Sequence, residues 1–145
     1  MSQYSVEDMM KAYSEDAIEL ARKLGHELDC SEDSLKKVET ILEMYNKEIP
    51  KGFIKRLLKK CPTQQEIIQM SKVWGGYIGE VIRNKFGGQW TFEDLFGEKN
   101  IAVLSVGETQ LFPVAKAYKR IVNGKEDDIY FYYKVLIQQF QNNDQ

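Results

Sequence analysis

The sequence predicts a mainly helical α+β fold: a single domain with a small two- or three-stranded antiparallel sheet between a long glycine-containing helix and two C-terminal helices. Two patterns predict it. Apolar residues recur at spacings of three and four through most of the chain, which is typical of amphipathic helices. One run rich in β-branched residues, from Ile101 to Val106, is bounded by Asn100 and Gly107 and predicts a strand. A length of 145 residues fits one domain.

Residues 1–60 are predicted to form the helical N-terminal part of this domain. Ser5 can cap a first helix, which we expect to end near Leu28. A second helix follows, with Ser31 or Asp33 as its cap and one apolar face, formed by Leu35, Val38, Ile41, Leu42 and Tyr45. Residues 53–60 predict a short third helix with a basic face, which ends before Pro62.

The motif-bearing core, residues 63–140, begins with a long helix. Thr63 and Glu66 form a capping-box pattern, which predicts a helix from Gln64 to Phe86 that ends at the following Gly87-Gly88 pair. The helix carries three interior glycines: Gly75, Gly76 and Gly79. Each should cost about 0.5–1 kcal/mol relative to alanine, so we expect another group to approach the helix backbone closely.

The pattern after residue 88 predicts the sheet. Residues 89–92 should be extended and residues 93–100 should form a long loop, followed by strands over 101–106 and 109–112. A helix should then begin at Pro113 and end at Asn123-Gly124. Residues 128–140 predict a last helix, but the aromatic run from Ile129 to Ile137 is compatible with a strand as well.

A helical wheel separates the three glycines. Gly75 and Gly79 lie beside the apolar face, four residues apart, so we expect close packing within the fold. Gly76 lies on the opposite, polar stripe, where it should open a notch between Lys72 and Glu80. That stripe consists of Gln69, Lys72, Gly76, Glu80 and Arg83.

Two interpretations of the polar stripe remain open. It is either a solvated face with ordinary surface ion pairs, or the floor of a pocket in which Glu80 accepts hydrogen bonds and Arg83 binds an anion. Under the second interpretation, with Tyr77 included, the candidate ligand- or partner-binding residues are Lys72, Gly76, Tyr77, Glu80 and Arg83.

No pattern in the sequence indicates a catalytic or metal-binding site, and we expect no cofactor. His26 is the only histidine, Cys30 and Cys61 are interpreted as buried small side chains rather than nucleophiles, and no glycine-rich phosphate loop is present. The two cysteines are expected to be free thiols. The basic segment from Lys51 to Lys60 is either a solvated face or a contact for nucleic acid, membrane or an acidic protein.

Composition narrows the classes of function. A formal net charge of −2 argues against a general nucleic-acid binder. No apolar run is long enough for a membrane span, and the N-terminus has no apolar signal core, so we expect a cytoplasmic protein. Charge is uneven, because residues 1–46 hold eleven acidic and five basic side chains.

The segment Trp74-Gly-Gly-Tyr-Ile-Gly-Glu-Val-Ile-Arg83, followed by Gly87-Gly-Gln-Trp90, resembles the core motif of a family of small bacterial proteins of unknown function. Phe112-Pro113 and the segment 123–128 match further parts of that pattern, and the resemblance covers residues 63–140. It implies a bacterial or phage protein in the cytoplasm, but no reaction or ligand. Small proteins of this kind are sometimes immunity proteins encoded beside toxins, which is an analogy only.

From these observations we expect a protein-binding module rather than an enzyme, of immunity or inhibitor type. It would present the polar stripe or the acidic N-terminal surface to its partner, and an acidic surface suits a basic partner. The alternative is a small-ligand-binding protein or enzyme with a pocket around Gly76, Glu80 and Arg83, near Tyr77 and under the 93–100 loop. The sequence does not indicate an oligomeric state.

Overall fold

The computed structural model describes residues 5–49 and 62–143, and it confirms the mainly helical α+β fold as a single domain. The helix predicted over residues 53–60 lies outside the described residues. None of the described helices is both long enough and apolar enough to cross a membrane. The elements are α1 (Val6–Lys23), α2 (Ser34–Glu48), α3 (Gln64–Phe86), β1 (Gln89–Leu95), β2 (Glu98–Val106), β3 (Thr109–Leu111), α4 (Pro113–Asn123), a 3-10 turn (Lys125–Asp127) and α5 (Ile129–Asn143).

Helix α1 begins as predicted and ends earlier than predicted. Ser5 Oγ accepts a hydrogen bond from the backbone N–H of Asp8 at 3.0 Å, which caps the first turn. The helix ends at Lys23 rather than near Leu28, because Gly25 adopts a φ of 89°. The N–H of the following residue, His26, donates to the carbonyl of Ala21 at 2.8 Å, the pattern of a Schellman motif.

Helix α3 has the predicted bounds and forms the centre of the fold. Thr63 Oγ1 accepts from the backbone N–H of Glu66 at 3.1 Å, and the helix ends at Phe86, before Gly87. All ten residues from Val73 to Ile82 are buried. The reason is that α1 packs against one side of α3 and α4 against another, while β2 also contacts it. A helix buried all round needs small residues where its neighbours come closest, which is the role that its glycines fulfil.

The sheet has three antiparallel strands in the order β1-β2-β3. The prediction of a long loop over residues 93–100 is wrong. Strand β1 continues to Leu95, which pairs with Glu98 of β2 across a two-residue turn. Both turn residues have positive φ, 56° at Phe96 and 76° at Gly97, as a type I′ hairpin requires. Phenylalanine is uncommon in that conformation, so the turn had no clear sequence signal. Gly107 and Glu108 form the second tight turn, before β3.

The two C-terminal helices follow the sheet as predicted. Pro113 is the first residue of α4, and Gly124, with a φ of 97°, follows its last. The structure decides the open question about residues 129–137, which are helical. Asp128 Oδ1 accepts from the backbone N–H of Phe131 at 2.7 Å and caps α5.

A buried ion cluster joins α2 to α4 and α5. The side chain of Arg120 is fully buried, and its Nε and Nη2 donate to the two carboxylate oxygens of Glu39 at 2.8 and 2.6 Å. Nη2 also donates to Glu43 at 3.1 Å. Glu39 accepts a further hydrogen bond, at 2.9 Å, from the backbone N–H of Ile129 at the start of α5. None of these three charged side chains stands out in the sequence as a site residue.

Candidate functional site

The glycines on the apolar side of α3 are explained by packing, as predicted. A Cβ atom on Gly75 would lie 2.5 Å from the Cα of Val114, so the backbone of α4 crosses α3 at this position. A Cβ on Gly79 would overlap the indole ring of Trp90, which β1 carries over the helix. Real Cβ atoms do not make contacts this short, and each glycine therefore permits a specific neighbour.

The expected open notch at Gly76 is filled by helix α1. A Cβ on Gly76 would lie 2.8 Å from the Cβ of Tyr13 and 3.0 Å from the carbonyl oxygen of Met10. Gly76 is itself buried. The predicted notch between Lys72 and Glu80 is therefore closed, because α1 covers the polar stripe at Gly76.

Glu80 is buried, and neighbouring side chains of the fold already donate hydrogen bonds to its carboxylate. Its Oε2 accepts from Trp90 Nε1 at 2.9 Å and from Arg83 Nε at 2.8 Å, and the residue is only 6% exposed. Burial raises the pKa of this carboxyl group, but the hydrogen bonds from Arg83 and Trp90 outweigh it, so that the pKa lies below its ordinary value. Arg83 also pairs with Glu7 of α1 at 2.7 Å. This network joins α1, α3 and β1.

Tyr77 points away from that network, toward the start of α2. Its hydroxyl shares a hydrogen bond of 2.6 Å with Ser34 Oγ and accepts from the backbone N–H of Cys30 at 2.9 Å. Burial raises the pKa of the Tyr77 phenol above its ordinary value. Cys30 itself has a φ of 66°, and the bond to Tyr77 holds the turn before α2. Tyr77, Gly76 and Glu80 therefore face three different neighbours.

Lys72 lines an open cavity of the fold. This cavity, which we call the lysine-rimmed groove, has a volume of about 920 Å³ and lies between α1, the N-terminal half of α3, the β1–β2 hairpin and α4. Its lining is mostly apolar. The lining residues are Met9, Met10, Tyr13, Gln64, Ile68, Ser71, Lys72, Phe92, Glu98, Lys99, Asn100, Ile101, Ala102, Val114, Ala115, Tyr118 and Lys119.

Three large apolar side chains at the groove remain accessible to solvent. Met9 of α1 is 36% exposed, Ile68 of α3 is 40% exposed and Phe92 of β1 is 37% exposed. The three side chains come from three separate elements, so it is the tertiary structure that groups them into one exposed apolar surface. Apolar surface of this kind, surrounded by polar residues, is typical of interaction sites.

The charged residues of the groove are mainly basic. Lys72, Lys99 and Lys119 are all exposed, and Glu98 is the single acidic residue in the lining. Within residues 5–49 and 62–143, none of these three lysines has a carboxylate oxygen within 4.0 Å. The groove is therefore an apolar surface with a positively charged rim.

The predicted position of a ligand pocket agrees with the structure only in part. Residues 98–100, within the segment predicted as a loop, do line the groove, but Tyr77, Glu80 and Arg83 do not. Ile68 was the signal available in the sequence, because its helical neighbours three and four residues away are all polar: Gln64, Gln65, Ser71 and Lys72. An exposed apolar residue becomes informative only when the fold groups several of them.

Within the part of the chain that the structure describes, no group of three or more histidine, cysteine, aspartate or glutamate side chains is arranged to hold a metal ion. Comparisons with protein-family models, with curated proteins and with solved structures find no match to this chain. The resemblance to a bacterial family of unknown function therefore stays a prediction. Function has to be argued from the lysine-rimmed groove itself.

Proposed function

We propose that this chain is a non-enzymatic binding protein, and that the lysine-rimmed groove holds a segment of a partner protein. The observation that carries the proposal is the joint exposure of Met9, Ile68 and Phe92 around one concave surface. Burying such side chains against a partner contributes about 1.5–3 kcal/mol each relative to leaving them in water. Grooves that receive an apolar segment of another protein use this arrangement.

The polar stripe of α3 supports the proposal less than the groove does. Glu80 already accepts hydrogen bonds from Trp90 and Arg83, so a ligand would have to displace these internal hydrogen bonds. Gly76 is covered by α1. Lys72 alone of the predicted residues stays available, and it belongs to the rim of the groove.

The resemblance of residues 63–140 to small bacterial proteins extends the proposal to a bacterial or phage protein of immunity or inhibitor type. In such a protein, binding is the whole function, because occupation of the partner's surface blocks its activity. The gene neighbourhood tests this extension: a toxin gene beside the gene for this chain would favour it, and an unrelated neighbourhood would count against it.

The binding proposal is tested by affinity capture from the cells that encode the chain. Ile68→Glu places a charge in the groove, and Leu20→Glu is the matched control, because Leu20 is 38% exposed on α1 and does not line the groove. We expect wild type and Leu20→Glu to retain one stoichiometric companion protein. Ile68→Glu should retain at least about tenfold less, since 1.4 kcal/mol of lost burial corresponds to tenfold in affinity.

Two outcomes would contradict the proposal: no companion at all, or a companion that Ile68→Glu retains as well as Leu20→Glu does. Circular dichroism of the two variants verifies that both are folded.

A second candidate is a small-ligand-binding protein that uses the same groove. Its volume of about 920 Å³ falls within the range of about 300–1,000 Å³ typical of small-molecule pockets. Native mass spectrometry of protein purified from its own cells tests this candidate. A bound small molecule that is lost in Ile68→Glu and kept in Leu20→Glu would favour it over a protein partner.

A further inference from the structure

We infer that the partner segment held by the lysine-rimmed groove is acidic, with carboxylates placed beside its apolar anchors. This inference rests on the proposed function and adds the chemical class of the partner. It differs from the expectation that the acidic N-terminal surface selects a basic partner.

The first support is the origin of the three lysines. Lys72 comes from α3, Lys99 from β2 and Lys119 from α4, so the tertiary structure brings together cations that are far apart in the sequence. Only one carboxylate, that of Glu98, shares the lining. A partner whose charges complement this rim has to carry acidic groups around an apolar centre.

The second support is the contrast with other cations of the fold. Arg83 and Arg120 are each held by carboxylates at 2.8 Å or less, and Lys116 pairs with Asp127 at 3.1 Å. Lys116 and Lys119 lie less than one turn apart on the same helix, and both charges lower the pKa of Asp127, but among the described residues only Lys116 comes within 4.0 Å of a carboxylate oxygen. The cations at the groove thus retain their capacity for ion pairs with a bound molecule.

The third support is the pairing of this charge with an adaptable apolar surface. Met9 lies at the groove and is 36% exposed, and methionine side chains accommodate anchors of different shape because they are flexible and polarizable. The chain as a whole has a net charge of −2, so attraction of an acidic segment depends on the local field of the lysines. Such attraction is screened within about 8 Å at physiological salt, which makes it sensitive to ionic strength.

The experiment is selection of random 16-residue peptides on the full-length folded protein, followed by affinity measurement of the enriched peptides. We expect enrichment of sequences that combine two or more apolar anchors with several aspartates or glutamates. Their affinity should fall when sodium chloride is raised from 50 to 300 mM.

Matched variants assign the binding to the groove. Lys72→Glu should weaken binding of the selected peptides about five- to tenfold, since it replaces an attraction at the rim by a repulsion. Lys85→Glu is the control, because Lys85 is exposed on the same helix and lies outside the groove. Ile68→Glu should abolish binding, and Leu20→Glu should not.

The outcomes separate this inference from the proposed function. If the enriched peptides have no acidic excess but their binding is lost in Ile68→Glu, the acidic class is overturned and the groove remains a docking site. If no enriched peptide depends on Ile68, both fail. Both also fail if dodecanoate, a small amphiphile, binds in an Ile68-dependent way and no peptide does. The acidic class would also be overturned if Lys72→Glu and Lys85→Glu lower the affinity for acidic peptides to the same extent, because the attraction would then not come from the rim of the groove.

Discussion

Replacement of Arg120 tests whether the buried ion cluster holds α2 against α4. Arg120→Leu removes the guanidinium but keeps most of the apolar volume, and it leaves the carboxylates of Glu39 and Glu43 without their main partner. Removing one partner of a fully buried ion pair costs about 3–5 kcal/mol. Because the two glutamate side chains are still 16% and 19% exposed, water can solvate them in part. We therefore expect the lower end, about 3 kcal/mol of the free energy of unfolding.

Urea unfolding followed by circular dichroism measures this change, and the same loss corresponds to a fall in Tm of about 6–12 °C for a chain of this size. Arg22→Leu is the control, since Arg22 also faces two carboxylates but its side chain is 52% exposed. It should cost less than about 1 kcal/mol. If Arg120→Leu destabilises the protein no more than Arg22→Leu does, the cluster does not stabilise the fold and the reasoning is wrong.

The remaining predictions concern helix α3. Gly76→Leu should lower the free energy of unfolding by about 3 kcal/mol in urea melts, because α1 leaves no room for a side chain. The control Lys72→Leu should change the free energy of unfolding by less than about 0.5 kcal/mol. A Gly76→Leu protein as stable as wild type would contradict the packing of α1 on α3. Glu80→Gln should cost about 1.5–3 kcal/mol at pH 7, because the ionised carboxylate accepts from Arg83 and Trp90. The pKa of Glu80 in the folded protein lies below the ordinary 4.5, so this stability is present above about pH 4.5 and is lost as the pH falls below it. The free energies of unfolding of wild type and Glu80→Gln should therefore converge in acid. A difference that stays constant from pH 7 to pH 3 would refute the ionised, hydrogen-bonded state of Glu80.

The sequence was sufficient for the bounds of α3 and for the helical character of α1, α2 and α4, because caps and apolar periodicity are local signals; it left α5 open between helix and strand. Thr63 and the Gly87-Gly88 pair mark both ends of α3. The β1–β2 hairpin was missed because Phe96 occupies a turn position that usually carries asparagine, aspartate or glycine. In the folded protein the Phe96 side chain is 82% exposed and meets Phe112 edge-on at 5.9 Å between ring centroids.

The candidate site was less accessible to sequence reasoning than the fold. Periodicity assigned Arg83 and Glu80 to a polar face, but it could not show that α1 and Trp90 cover that face. It likewise treated Arg120 as an ordinary helical residue, although its partners lie 77 and 81 positions away in the chain. The groove depends on five elements that meet only after folding, and no single segment carries its signature.

The three glycines of α3 also define how this chain can diverge. Gly75, Gly76 and Gly79 each accommodate a different neighbour, from α4, α1 and β1 respectively. A descendant that gains a side chain at one of these positions must alter that one neighbour, for example by replacing Trp90 when Gly79 changes. Pairs of linked substitutions, rather than single ones, are therefore the expected record of this helix in related sequences. Such pairs would identify distant relatives even after the surface, including the groove, has changed its specificity.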